Sequence, residues 1–509
     1  MSCLATFIVA LNIYGGFMDF ISEVKNEINL CYTENGDVAF KTSGSYCLDL
    51  FSVAGAIRGE YDADISMFMK AFLENRNLAL KILFYTRDIR GGLGERNVFR
   101  RQIAFLGLCY PEICIKLIPY ISEYGRYDDL LYLLETKCKK EVIRFISEKL
   151  NEDIENKILH KPISLLSKWL PSINTSDAQM RQYARIIAQG LKISYEKYRK
   201  TLSYLRKGTI IENNLREGKY DFNYENVPAN AFNKYFKAFM KNDKERFLEY
   251  SDKLTQGKAK VNVNTLYPYN IIHSCLNLNC ETLEEELVLR EVLNKMWLAL
   301  DRKNYMTKAI VVRDGSGSMY NNLYGSIAPI EVATSLAILM SEQLTGPFKN
   351  TFITFSENPQ LVQITKDNIY DKVMQVLNYD EIANTNISKV YNLILRVAIK
   401  NHVSPEEMLD KVIIISDMEF DRGVSGVSTF SSFKEKFALA GYKMPEVIFW
   451  NVCSRNQTVP VAGNEANTKL VSGASNKIID IVFNGKAITP YEFMIESLEK
   501  YDFIDKLLD

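Results

Sequence analysis

Near residue 305 the rhythm of the chain changes, and this restricts its fold more than any other feature. Upstream, "DISMFMKAFLENRNLALKILFYTRD" and "CIKLIPYISEYGRYDDLLYLLE" place apolar residues three and four apart, the period of one buried helix face. "KKEVIRFISEKLNEDIENK" does the same with a strongly charged outer face. Downstream, "KAIVVR", "NTFITFS", "KVIIISD" and "EVIFWNV" are short, nearly continuous apolar runs. Such runs suit strands covered on both faces. The helical stretches "APIEVATSLAILMSEQL", "NISKVYNLILRVAIK" and "FSSFKEKFALAGY" separate them. Strand and helix in alternation predict a doubly wound, parallel α/β sheet.

The expected organisation is multidomain: an N-terminal segment over 1–46, an all-α array over 47–304, and an α/β domain over 305–509. A chain of 509 residues exceeds what one core supports. Breaks at Gly91-Gly92, Gly125, Pro171, Pro228 and Pro268 divide the first part into successive helices, as in a HEAT-like repeat array. No clean sequence period accompanies them. The apolar run "CLATFIVALNIYGGFM" lacks a basic leader and a cleavage site, and Asn12 and a Gly pair interrupt it. It is read either as a structural N-terminal segment or, in the favoured reading, as an upstream extension over 1–17 with the natural start at Met18; a membrane anchor is the minority reading. Hydrophobic content of 47% and charge of 24% are those of a soluble globular protein. Nine cysteines without a dense framework point to a reducing, cytoplasmic setting. His273, Cys275 and Cys280 lie close together but lack a second ligand pair for zinc.

"VVRDGSGSMYNN" carries the first chemical signal. Asp314, Ser316 and Ser318 follow a buried strand, and Gly315 and Gly317 let the backbone fold tightly. Thr385, in "ANTNIS", falls at a loop-to-helix boundary, and Asp417 ends a later strand. In parallel sheets ligands bind at the carboxyl ends of strands. Two aspartates, two serines and a threonine form an all-oxygen set suited to Mg²⁺ or Mn²⁺. The plainer alternative is that the serines cap a turn and backbone amides satisfy Asp417.

Charge is uneven although the total is zero: residues 306–509 carry 19 Lys/Arg and 24 Asp/Glu, leaving 43 and 38 upstream. A polyanion would therefore meet the helical part. "RDIRGGLGERNVFRR" sets three glycines among Arg87, Arg90, Arg96, Arg100 and Arg101. It lacks the Lys-Ser/Thr end of a P-loop. It reads either as an inter-helix turn, with Asp88 and Glu95 paired to nearby arginines, or as a phosphate-binding bend before a helix. Residues 181–220 hold ten Lys/Arg against three Glu, with Tyr183, Tyr195, Tyr198 and Tyr204 interleaved. Arg199, Lys200, Arg206 and Lys207, with Lys168 and Trp169 nearby, are candidates for phosphate contact and base stacking. A solvated helix face is the competing account.

"DGSGSM…T…SDMEFD" resembles the metal-ion-dependent adhesion site (MIDAS) of a von Willebrand factor A domain. The resemblance implies Asp314, Ser316, Ser318, Thr385 and Asp417 as ligands, although Asn384 stands where that family often has Gly. "FYTRDIRGGLGER", "EYGRYDDLL", "LLSKWLPS", "TLYPYN", "FITFSE" and "FWNV" are similar to a largely uncharacterised family of plants, bacteria and viruses with a C-terminal von Willebrand A-like domain. Its plan is similar to that of the Ro autoantigen, a TROVE helical ring closed by such a domain. The resemblance implies a nonenzymatic ribonucleoprotein component that binds small noncoding RNA or single-stranded RNA ends. The alternative is an adaptor in which a protein partner's carboxylate completes the metal site. A metal-dependent nuclease is the weaker third class, because it needs more convergent carboxylates than Asp314 and Asp417.

Overall fold

The computed structural model describes residues 28–508, apart from 59–60, 208–210, 322–326, 357, 381–385 and 422–428. The expected start at Met18 and the candidate ligand Thr385 lie outside the described residues. A hairpin of β1 (Leu30–Tyr32) and β2 (Val38–Phe40) comes first. The helices α1 (Tyr46–Val53), α2 (Tyr61–Glu74), α3 (Arg76–Arg87), α4 (Arg96–Cys109) and α5 (Pro111–Tyr124) follow. Each of these five packs on the next, which is the local stacking expected of a helical array. A 3₁₀ turn (Tyr127–Leu133) then leads to α6 (Lys139–Ile158), α7 (Leu166–Trp169), α8 (Ala178–Gly190), α9 (Tyr195–Arg206) and α10 (Ile211–Arg216). The array ends with α11 (Ala229–Asn242), α12 (Lys244–Thr255), α13 (Pro268–Leu276) and α14 (Leu283–Leu298). The helix starts are chemically marked. Side chains of Asn75, Asp177 and Ser194 accept from Leu78, Met180 and Lys197 amides, and proline opens α5 and α13.

The α/β domain comprises β3 (Ala309–Asp314), α15 (Pro329–Gln343), β4 (Thr351–Phe355), β5 (Leu361–Gln363), α16 (Ile369–Leu377) and α17 (Ile387–Lys400). It continues with β6 (Lys411–Ser416), α18 (Thr429–Leu439), β7 (Glu446–Asn451), β8 (Thr468–Ser472), α19 (Ile479–Asn484), α20 (Pro490–Leu498) and α21 (Phe503–Leu508). The sheet order is β5-β4-β3-β6-β7-β8, parallel except for antiparallel β5. The four strands read from the sequence lie where expected; β5, β8 and the N-terminal hairpin were not among them. β3 is followed by β4 on one side and later by β6 on the other. The order thus reverses between β3 and β6, where α/β sheets open a binding crevice.

Alternation along the strands joins the two parts. Ala309, Val311, Ile413, Ile415, Ile448, Trp450 and Val471 face a core continuous with that of the helical array. Ile310, Val312, Ile353, Ile414, Val447 and Phe449 face a second core under α17 and α18, as the two-residue strand period requires. α13 packs on α15, and α14 on α16. At the other end α1 packs on β8, and α21 on α3. Phe503 stacks on Tyr120 and Tyr124, with ring centroids 4.5 and 5.3 Å apart. No helix among the described residues is long and apolar enough to cross a membrane.

Candidate functional site

The D-x-S-x-S stretch and Asp417 meet at the β3–β6 switch point. Asp314 is fully buried at the end of β3. It accepts from the Ser316 amide at 2.9 Å and from the Ser416 hydroxyl at 2.6 Å. The Ser316 and Ser318 hydroxyls lie 3.1 Å apart, and Ser318 donates to Asp417 Oδ2 at 2.8 Å. Gly315 is required by packing, since a Cβ there would stand 2.7 Å from Asp380 Oδ1. That carboxylate is fixed by Arg313, whose Nη1 donates to it at 2.5 Å. After β6 the chain turns sharply through Met418, whose φ is +66°, a conformation uncommon outside glycine.

Burial, and next the Asp417 carboxylate, raise the Asp314 acid to about 7. This environment gains from a positive charge, and its donors are hard oxygens from two carboxylates and two hydroxyls. That chemistry fits Mg²⁺ or Mn²⁺. Among the described residues no three His, Cys, Asp or Glu side chains are gathered as metal ligands, so a cation here would depend on the serine hydroxyls. Glu419, the extra carboxylate a nuclease would recruit, is turned to other partners. It accepts from the Glu34 amide at 2.7 Å and from Asn456 Nδ2 at 3.1 Å.

Arg455 and Ser416 were missed from the sequence. Arg455 Nη2 donates to Asp417 Oδ2 at 2.7 Å. It stands in the loop after β7, at the same carboxyl edge, so the strand-end rule could have found it. Ser416 directly precedes Asp417 and carries no separate signal.

The arginines expected to hold RNA divide into two groups. Arg87 and Arg100 are buried, with Nε atoms 2.7 and 2.6 Å from the two oxygens of fully buried Asp129. Arg101 Nε pairs with buried Asp64 at 2.7 Å. Arg206 Nε and Nη2 donate to the Ser167 and Leu170 carbonyls at 2.7 and 2.5 Å, pinning α9 to α7. These four are corrected to internal fasteners: helix packing turns them inward onto carboxylates and carbonyls. The glycine bend is also a packing seam. Cβ atoms at Gly91, Gly92 and Gly94 would lie 2.3, 2.1 and 1.7 Å from Lys500 Nζ, Tyr85 O and the Tyr267 hydroxyl. Asp88 is met by Lys500 and by the Tyr501 hydroxyl at 3.1 and 3.0 Å, and Glu95 by Arg58 Nε at 2.8 Å.

Arg96 behaves differently. It is exposed at the start of α4 and makes no ion pair among the described residues. Local desolvation first, then repulsion by Arg100 and Arg126, lowers its guanidinium below the usual range. Arg126 lies 3.8 Å over the Trp169 ring, whose neighbour Lys168 is 5.5 Å from the same ring. Arg126 was missed, although "EYGRYDDLL" contains it. Lys207 is exposed at the end of α9, where Lys157 holds its carbonyl at 2.9 Å. Arg199 and Lys200 point outward from α9, with Lys200 in a fully solvated pair with Glu196. Arg90 is exposed and caps the Glu123 carbonyl.

The fold is therefore a helical array joined to an α/β domain with a carboxylate–hydroxyl cluster at its switch point. Residues 33–142 and 175–303 match the family described as Domain of unknown function (DUF2828). Residues 308–503 match Domain of unknown function (DUF7788). The C-terminal match is thus to DUF7788, and no von Willebrand factor A domain is identified. The chain is 28% identical over 523 residues to Uncharacterized protein L728 of Acanthamoeba polyphaga mimivirus, covering 93% of this chain and 88% of that protein. It also aligns with the crystal structure of the Deinococcus radiodurans RO (RSR) protein at 12% identity and a TM-score of 0.35, over 92% of this chain and 96% of that one.

Proposed function

We propose that the protein is a nonenzymatic, Ro-like RNA-binding protein whose helical array holds small noncoding or single-stranded RNA. The observation that carries this reading is the pair Arg126 and Lys168 on the Trp169 ring, with Arg96 within electrostatic reach of Arg126. Of these, Arg96 is exposed and makes no ion pair among the described residues. Cations neutralise phosphates and an indole or guanidinium plane stacks on unpaired bases. The outward charges of α9, Arg199, Lys200 and Lys207, extend the surface from α7.

The test is affinity for single-stranded RNA as a function of salt. Affinity should fall with a log–log slope of about −0.7 per phosphate neutralised. Arg96→Glu with Lys168→Glu should flatten that slope by roughly one to two without unfolding the chain. Unchanged binding in this double variant would refute the surface. Loss of binding only on charge reversal at Arg199, Lys200 and Lys207 would move the interface to α9.

A second reading is favoured by the hydroxyl chain from Ser316 through Ser318 to Asp417. There the α/β domain is a metal-dependent adaptor. Ser316, Ser318 and Asp417 would hold Mg²⁺ or Mn²⁺, with Asp314 behind them and Thr385 as the expected further ligand. The ion would supply a Lewis-acidic position for a partner's carboxylate. Pull-downs with and without EDTA separate the readings: chelation releases an adaptor's protein partners, and nuclease releases RNA-tethered ones.

A further inference from the structure

The carboxylate that a divalent ion would need is already held by a cation from the protein itself. Arg455 Nη2 donates to Asp417 Oδ2 at 2.7 Å, the same oxygen that accepts from Ser318. Its Nη1 pairs with Glu34 Oε2 at 2.9 Å. The Nε of Arg455 is buried without a hydrogen-bond partner among the described residues, so the guanidinium is incompletely satisfied by them in this position.

Glu34 belongs to the turn between β1 and β2, which is fastened over the end of β6. The Glu34 amide donates to Glu419 Oε2 at 2.7 Å, and Asn35 Nδ2 to the Glu419 carbonyl at 2.7 Å. The Thr33 hydroxyl donates to the Phe420 carbonyl at 2.6 Å. Phe40 and Val459 exchange backbone hydrogen bonds at 2.9 Å. The hairpin, Arg455 and the candidate metal centre are thus one connected structure, although 421 residues separate Glu34 from Arg455 in sequence.

We propose that Arg455 is the resident counter-cation of the Ser316–Ser318–Asp417 centre and that it exchanges with a divalent ion. This rests on the metal-binding reading above. A dication on these oxygens and a guanidinium on Asp417 Oδ2 would lie a few ångströms apart in a poorly screened setting, where like charges repel strongly. Metal entry therefore drives Arg455 off Asp417 and removes the bridge from that carboxylate to Glu34. The hairpin then keeps its backbone contacts to 419–421 but loses its ionic tie to the centre.

The experiment measures Mn²⁺ binding to chelator-treated full-length protein by the loss of the free-ion EPR signal. Wild type, Arg455→Gln, Arg455→Lys and Asp417→Asn are compared, with hydrogen exchange over residues 30–40 as a second readout. Arg455→Gln should bind Mn²⁺ on the order of tenfold more tightly than wild type, with Arg455→Lys close to wild type and Asp417→Asn much weaker. Mn²⁺ should speed exchange at 33–38 in wild type, whereas in Arg455→Gln exchange there should be fast with or without the ion. Equal affinity in wild type and Arg455→Gln overturns the exchange while leaving the metal reading intact. Failure of both to bind Mn²⁺ overturns the two together.

Discussion

Asp129→Ala tests whether the arginines of α3 and α4 hold the fold or hold a ligand. Asp129 is fully buried and accepts from Arg87 Nε at 2.7 Å, Arg100 Nε at 2.6 Å and the Arg126 amide at 2.9 Å. Arg100 keeps Asp128, 2.6 Å from its Nη2, when Asp129 is removed. Arg87, only 2% exposed, has no other ion pair among the described residues. The loss therefore falls on one stranded buried guanidinium, which costs about 3–5 kcal/mol. Set against a total stability of roughly 5–15 kcal/mol, that is a large share. The assay is native-state hydrogen exchange of the α3 amides, which reads opening locally and needs no single global transition. A loss under about 1 kcal/mol would refute the reasoning. Arg87→Met with Asp129→Leu should recover most of the stability, because an apolar pair leaves no stranded charge. Arg96→Ala supplies the contrast. It should leave stability within about 0.5 kcal/mol while weakening RNA binding. Loss of RNA binding by Arg87→Ala at unchanged stability would reverse the two assignments.

Gly55→Ala should loosen the joint between the helical array and the sheet. A Cβ there would stand 2.5 Å from the Gly473 Cα, and two backbones cannot part without moving α1 off β8; a cost of roughly 1–3 kcal/mol should appear as a lowered melting temperature. Gly94→Ala should destabilise as well, since φ is +69° and the added carbon would lie 1.7 Å from the Tyr267 hydroxyl; Tyr267→Phe would relieve only part of it, leaving the strain of the left-handed backbone. In EDTA, stability should fall as pH rises from about 4 to about 7. Asp314 is raised to about 7 by burial and then by Asp417, so the folded state holds a proton that the unfolded state has released. Asp314→Asn should flatten this part of the stability profile. Parallel melting profiles for variant and wild type would refute the assignment.

Much of the α/β domain was legible because its signals are local. "KAIVVR" and "KVIIISD" are apolar on both faces, and a carboxylate directly after each run can only lie at the carboxyl edge. With β3 and β6 adjacent, Asp314 and Asp417 had to come close, and the Ser416 hydroxyl lies between them, 2.6 Å from Asp314 Oδ2 and 3.5 Å from Asp417 Oδ1. The hairpin was not legible: three-residue strands carry too few alternations to register as a period. Its docking on 419–421 and 459 is a long-range choice.

The arginines mark the boundary between the two kinds of information. By itself the sequence determined the helical stretches and four of the sheet's six strands, where the rhythm breaks, and that positive charge is concentrated before residue 305. Composition and spacing act over a turn or two of chain, and those distances suffice. Only the tertiary structure decided which charges are spent inside. Arg87 and Arg96 are nine residues apart in one basic run, yet Arg87 is fastened to Asp129 while Arg96 faces solvent. The same holds for Arg455, whose partner Asp417 lies 38 residues before it and whose partner Glu34 comes from the other end of the chain. The energy of a charge depends on burial and on the nearest opposite charge, and both are set by packing between distant segments.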